Sequence, residues 1–150
     1  MKIEPLFIRI SELSEKEKKE VLELQKLVPE LNRREIPEEI AIQIKEKIAT
    51  LNIFKGTSKE YLKKIRSSKK AIFDMLQKEL GLVPKDYYTK LWMSKGLASF
   101  GLLFGVLLYA ITQNPAFIAL GLPLGAAMGS LHGKKLDKKA EEENKQLDLS

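Results

Sequence analysis

Apolar residues fall at helical spacing through the first half of the chain, then crowd into one uninterrupted stretch in the second half. Ser14 with Glu17 three residues on is a capping-box pattern, and Leu13, Val21, Leu24 and Val28 share one face around it. This predicts a helix over 14–28 that Pro29 stops. Pro37 with Glu38 and Glu39 suits the first turn of a second helix. A proline loses no hydrogen bond there, and carboxylates meet the positive end of the dipole. Ile40, Ile44, Ile48 and Leu51 continue one stripe and Gly56 supplies a stop, so 38–55 is predicted helical. Thr57 and Glu60 form another capping box, opening a helix over 58–80 whose apolar side is Tyr61, Leu62, Ile65, Ile72, Phe73 and Leu76. Ahead of these, Ile3–Ile10 reads as a short strand or an extended arm.

From Gly96 to Gly133 there are 38 residues without Asp, Glu, Lys or Arg. That is too long for one ordinary span and close to twice the minimum of about 17. Gln113-Asn114-Pro115 interrupts it near the middle as a turn signal. The expectation is two antiparallel spans, about Leu91–Thr112 and Ala116–Leu131, each reaching about 24–30 Å. Tyr87, Tyr88 and Trp92 precede the first span and Tyr109 sits near its far end, as in an aromatic belt. Lys85, Lys90 and Lys95 flank the approach; Lys134, Lys135, Lys138 and Lys139 flank the exit. The turn is uncharged, so the positive-inside rule places both termini in the cytoplasm and the protein in the inner membrane. The first apolar run, Leu6 to Ile10, contains Arg9 and is too short for a signal peptide.

In the second span Gly121, Gly125, Gly129 and Gly133 recur every four residues. Each costs about 1 kcal/mol of helix propensity relative to alanine. A flat glycine stripe lets another backbone approach, and such packing drives helix association in lipid. In the first span Ser94, Ala98, Gly101 and Gly105, spaced 4-3-4, fall on a narrow common face. The two faces are expected to zip together within the hairpin; otherwise one mates within the chain and the other contacts a second subunit. Pro123 removes the hydrogen bond to the Ala119 carbonyl and is expected to kink or break the second span.

The run Gly121-Leu-Pro-Leu-Gly-Ala-Ala-Met-Gly129, followed by Asp137-Lys-Lys-Ala140 and Gln146-Leu147, resembles small bacterial glycine-zipper membrane proteins, over roughly residues 83–147. The resemblance implies a zipped hairpin and carries no activity and no active site with it.

Charge refines this picture. Residues 1–54 hold ten Lys/Arg against eleven Asp/Glu, residues 55–95 hold eleven against four, and the tail from Lys134 holds five against five. The excess behind the formal +6 thus sits just before the apolar region. Lys59, Lys63, Arg66 and Lys70 line one side of the third helix, either as a solvated edge or as a stripe lying on anionic lipid headgroups, with Tyr87, Tyr88, Trp92 and Lys95 at the same interface. Aromatics are not interleaved with these cations at stacking intervals, so lipid rather than nucleic acid is the expected polyanion.

No catalytic constellation emerges. His132 is the only histidine and there is no cysteine, so thiolate metal sites and disulfides are excluded, and neither a cofactor nor a metal is expected. The glycines match neither GxxxxGK[ST] nor GxGxxG. The expected fold is an all-α membrane protein. It has a cytoplasmic helical domain over 1–83, a transmembrane glycine-zipper hairpin over 84–133, and a charged helical tail over 134–150 whose helix runs to about Gln146. The expected role is non-enzymatic: a membrane-anchored interaction or accessory protein whose helical domain docks a cytoplasmic partner or an anionic membrane surface. The alternative is an oligomer that assembles in the bilayer and permeabilises or remodels it. Partners are therefore lipid, a second copy, or another membrane protein.

Overall fold

The capping boxes form. In the computed structural model, which describes residues 2–7 and 14–149 (Lys16 by its backbone alone), the Glu17 carboxylate accepts the Ser14 N–H at 2.9 Å. The Glu60 carboxylate accepts the Thr57 N–H at 3.0 Å. Behind these caps run α1 (Glu15–Arg33) and α3 (Ser58–Leu80), with α2 (Glu38–Asn52) between them. Gly81, at φ 67°, ends α3 in the left-handed conformation that glycine adopts at little cost. Pro29 does not stop α1, which continues to Arg33. The proline lies on the exposed side, while Leu27, Val28 and Leu31 around it are buried and Arg34 pairs with buried Glu30 at 2.8 Å. Burial on the inner face offsets the cost of an internal proline, about 3 kcal/mol for the lost hydrogen bond and the ring's clash with the preceding turn together.

The chain divides into two units, Met1–Val83 with Leu147–Ser150, and Pro84–Gln146. The first unit has an ordinary aliphatic core. Val21, Leu24 and Leu31 of α1 meet Ile44, Ile48 and Leu51 of α2 and Ile65, Ile72 and Leu76 of α3. Two ion pairs join α1 to α3, Glu20–Arg66 at 2.6 Å and Glu23–Lys69 at 2.7 Å. Both partners advance by three residues together, so the two helices run in the same direction, as an up-down-up arrangement requires. Residues 2–7 form an arm without helix or strand, held by asparagine amides. Asn32 accepts the Ile3 N–H and donates to its carbonyl; Asn52 accepts the Phe7 N–H and donates to Pro5. The remainder of the expected arm, 8–10, and Leu13 lie outside the described residues.

The second unit is a helical hairpin. Its first limb comprises α4 (Tyr87–Gly96), a π-helical turn (Leu97–Gly101) and α5 (Leu102–Thr112); its second is α6 (Ala116–Glu142). Both limbs are long and apolar enough to cross a membrane. The turn satisfies its own polar groups. Gln113, at φ 55°, donates to the Tyr109 carbonyl, and the Asn114 side chain accepts the Ala116 N–H at 3.0 Å. α6 runs through Pro123 unbroken but stops at Glu142, short of the expected Gln146. Asn144 at φ 55° turns the chain, and the Lys145 N–H bonds the Ala140 carbonyl at 2.7 Å, closing the helix as a glycine would. The tail is therefore not one charged helix. Gln146–Leu147 (β2) pairs with Val83–Pro84 (β1), and Leu147 is buried in the core of the first unit.

Candidate membrane hairpin and basic surface

All four glycines at the period of four in α6 are buried, and each meets backbone of the opposite limb. A Cβ added to Gly133 would collide with Tyr88 and Thr89, and one on Gly129 with Trp92. One on Gly125 would strike Gly96 and Gly101, and one on Gly121 would strike Gly101 and Gly105. The facing positions therefore descend as 105, 101, 96, 92 and 88, in antiparallel register with 121, 125, 129 and 133.

The step from Gly96 to Gly101 is five residues, and it corrects the sequence-based face. At about 100° per residue an unbroken α-helix would leave Gly101 about 140° away from Gly96. The π turn over Leu97–Gly101 absorbs the extra residue and keeps both glycines, with Gly105, on the buried side. Ser94 and Ala98 are exposed instead. The 4-3-4 spacing assumed uniform α-helix; the usable signal was that Gly96, Gly101 and Gly105 match glycines across the turn. The Ser99 hydroxyl donates to the Lys95 carbonyl four residues back, within the altered turn.

With glycine inside, the large apolar side chains point outward. Leu103 is 60% exposed, Ile111 80%, Leu124 55% and Leu131 64%. Water favours the reverse arrangement, with leucine inside and polar groups out. Charge collects at one end of the hairpin: Lys90, Lys95, Lys134, Lys135, Lys138 and Lys139 are all exposed there, and the turn end carries none. At the charged end the rings of Tyr87 and Tyr88 meet edge to face at 5.2 Å, Trp92 meets His132 at 4.4 Å, and the Lys95 ammonium lies 5.3 Å from the Trp92 ring centre.

One residue at this end escaped sequence reasoning. Asp137 is buried, and its carboxylate accepts the Tyr88 N–H at 2.9 Å and the Thr89 N–H at 2.8 Å. These are donors of the first turn of α4, whose own N-cap residue, Asp86, makes no side-chain cap. Asp137 follows Gly133 by four residues, so the glycine period itself points to this position. Among the described residues no group of three His, Cys, Asp or Glu side chains could hold a metal ion.

The basic stripe of α3 is less uniform than its spacing suggests. Lys59, Lys63 and Lys70 are exposed, but Arg66 is bonded to Glu20, whose carboxylate raises the guanidinium pKa by hydrogen bonding and charge. Neighbouring Lys64 lies over the Phe54 ring, 4.6 Å from its centre.

The chain matches no protein-family description, no curated protein and no solved structure.

Proposed function

We propose that this chain is a non-enzymatic, membrane-anchored accessory protein. Its hairpin crosses the inner membrane twice, both ends of the hairpin lie on the cytoplasmic side, and the three-helix unit is held at that surface to engage a partner or the lipid itself. The single observation that carries this reading is the inverted hairpin, with glycine backbones packed inside and leucine, isoleucine and phenylalanine side chains outside. In lipid the outward side chains cost nothing, and close backbone contact is the attractive term that remains. Lysines at one end and an uncharged, internally satisfied turn at the other support the orientation. Assembly into a permeabilising oligomer is less well supported, because the glycine faces of both limbs are already occupied by each other.

The chain has no cysteine, so single cysteines report topology cleanly. Cysteines replacing Glu39 and Glu142 are expected to react with an impermeant maleimide only from the cytoplasmic side, and one replacing Asn114 only from the other. Labelling of Glu39→Cys and Glu142→Cys from opposite sides, or release of the protein from membranes by alkaline carbonate, would overturn the proposal.

A further inference from the structure

The first unit carries an exposure that its folding does not explain. Ile53 is 75% exposed and Phe7 67%, whereas the core beneath them is closed. Both are presented by fixed backbone. The Phe7 N–H is bonded to the side chain of Asn52, the residue before Ile53, at 2.9 Å, and the Phe7 carbonyl accepts the Tyr61 hydroxyl at 3.3 Å. Asn52 also donates to the Pro5 carbonyl at 3.1 Å, and the Tyr61 ring stacks on Phe54. Two large apolar side chains are thus pinned outward at the corner where α2 gives way to α3.

The surrounding charge selects the occupant. Lys55 lies in the corner loop, exposed Lys59 and Lys63 follow on successive turns of α3, and Lys64 caps the Phe54 ring. Glu60, the acid among them, is committed to the Thr57 cap, which lowers its pKa by backbone and side-chain hydrogen bonds. Glu4 on the arm and Glu46 on α2 are further carboxylates of the adjoining segments, and Glu38 and Glu39 lie at the opposite end of α2. Two isolated apolar tips beside lysines make too small an apolar face for a protein groove, but they suit a fluid anionic surface into which each tip can sink.

We propose that this corner is a lipid-binding site, in which Phe7 and Ile53 insert into an anionic headgroup layer while Lys55, Lys59 and Lys63 contact the phosphates. The proposal rests on the membrane location argued above. Only residues 84–86 separate the first unit from the first hairpin helix, so an anchored hairpin would hold the corner at high effective concentration near the surface.

The test uses the full chain in nanodiscs, with an environment-sensitive fluorophore on Ile53→Cys and, separately, on Leu124→Cys of the hairpin. Discs contain either a phosphatidylglycerol mixture or phosphatidylcholine alone, each with lipid-borne quencher. The Ile53 probe is expected to be quenched about twofold or more strongly in anionic discs. That excess should vanish in about 1 M salt, where the Debye length is about 3 Å, and shrink in a Lys59→Gln/Lys63→Gln variant. Equal quenching in both lipids, none in either, or burial of the probe that follows protein concentration (a second copy) would overturn the site. The Leu124 probe separates the two ideas. Its quenching in both lipids with a wet Ile53 probe removes the corner and keeps the hairpin, whereas a quenched Ile53 beside an unquenched Leu124 does the opposite. If neither is quenched, both fail.

Discussion

The carboxylate of Asp137, near the end of α6, accepts the backbone N–H of Thr89 at 2.8 Å and so caps the helix that opens the other limb of the hairpin. The neighbouring N–H of Tyr88 goes to the same carboxylate. A helix N-terminus leaves such donors unsatisfied, and an anionic acceptor there also meets the positive end of the dipole.

Asp137→Ala should therefore destabilise the hairpin more than Asp137→Asn, which keeps one acceptor oxygen but loses the charge. The expected loss for alanine is about 0.5–2 kcal/mol, the range of an N-cap deletion. Thermal unfolding in detergent would measure it, and amide exchange at Tyr88 and Thr89 would localise it. Wild-type protection at both amides in the alanine variant would mean that the contact is incidental.

Bulk on the glycine face should loosen the hairpin. Gly125→Leu and Gly129→Leu place side chains against the backbones of Gly96, Gly101 and Trp92, so both should lower thermal stability in detergent despite gaining nearly 1 kcal/mol of helix propensity. Leu120→Ala, on the exposed side, should change little. The π turn adds a finer comparison: Ala98→Leu should be tolerated and Gly96→Leu should not, because Ala98 is exposed and Gly96 is buried. The reverse order would restore the uniform helix.

A one-residue deletion provides an independent check. Removing Ser99 leaves Gly96 and Gly101 four apart, the natural spacing of one α-helical face, so the deletion variant should retain most of the parent's stability. Removing Leu103 rotates Gly105 about 100° off the buried side and should be far more damaging. Equal damage from the two deletions, read by unfolding in detergent, would argue against the π turn as the device that sets the register.

The capping boxes predict a pH response. Glu17 is held below the ordinary carboxylate pKa chiefly by the Ser14 hydroxyl, and Glu60 chiefly by the Thr57 N–H. Because both pKa values are lowered on folding, their contribution is complete above the ordinary carboxylate range and is lost as pH falls through the depressed values. A Glu17→Gln/Glu60→Gln variant should melt below the parent near neutrality, and the gap should close on acidification. A gap that widens in acid would reverse the sign of the argument.

Much of this architecture was legible in one dimension. Ser14 with Glu17, Thr57 with Glu60 and Gly81 mark helix ends through contacts a few residues long, and the Ile40–Leu51 stripe states its own periodicity. The uncharged run from Gly96 to Gly133, split by Gln113-Asn114-Pro115, defines the hairpin because a polar break and a length suffice for that inference.

Other features depend on residues far apart in the chain, and local pattern cannot weigh them. Whether Pro29 ends α1 was decided by the burial of Leu31 behind it. Whether Ala98 or Gly96 faces α6 was decided by a π turn, a small backbone rearrangement that lets more glycines meet across the hairpin. Asp137 became a cap because α6 places it beside Tyr88 and Thr89, 49 and 48 positions away. Short-range hydrogen bonds and periodicity set which segments are helical, whereas the face each helix buries is set by close packing between segments, whose free energy exists only once they meet.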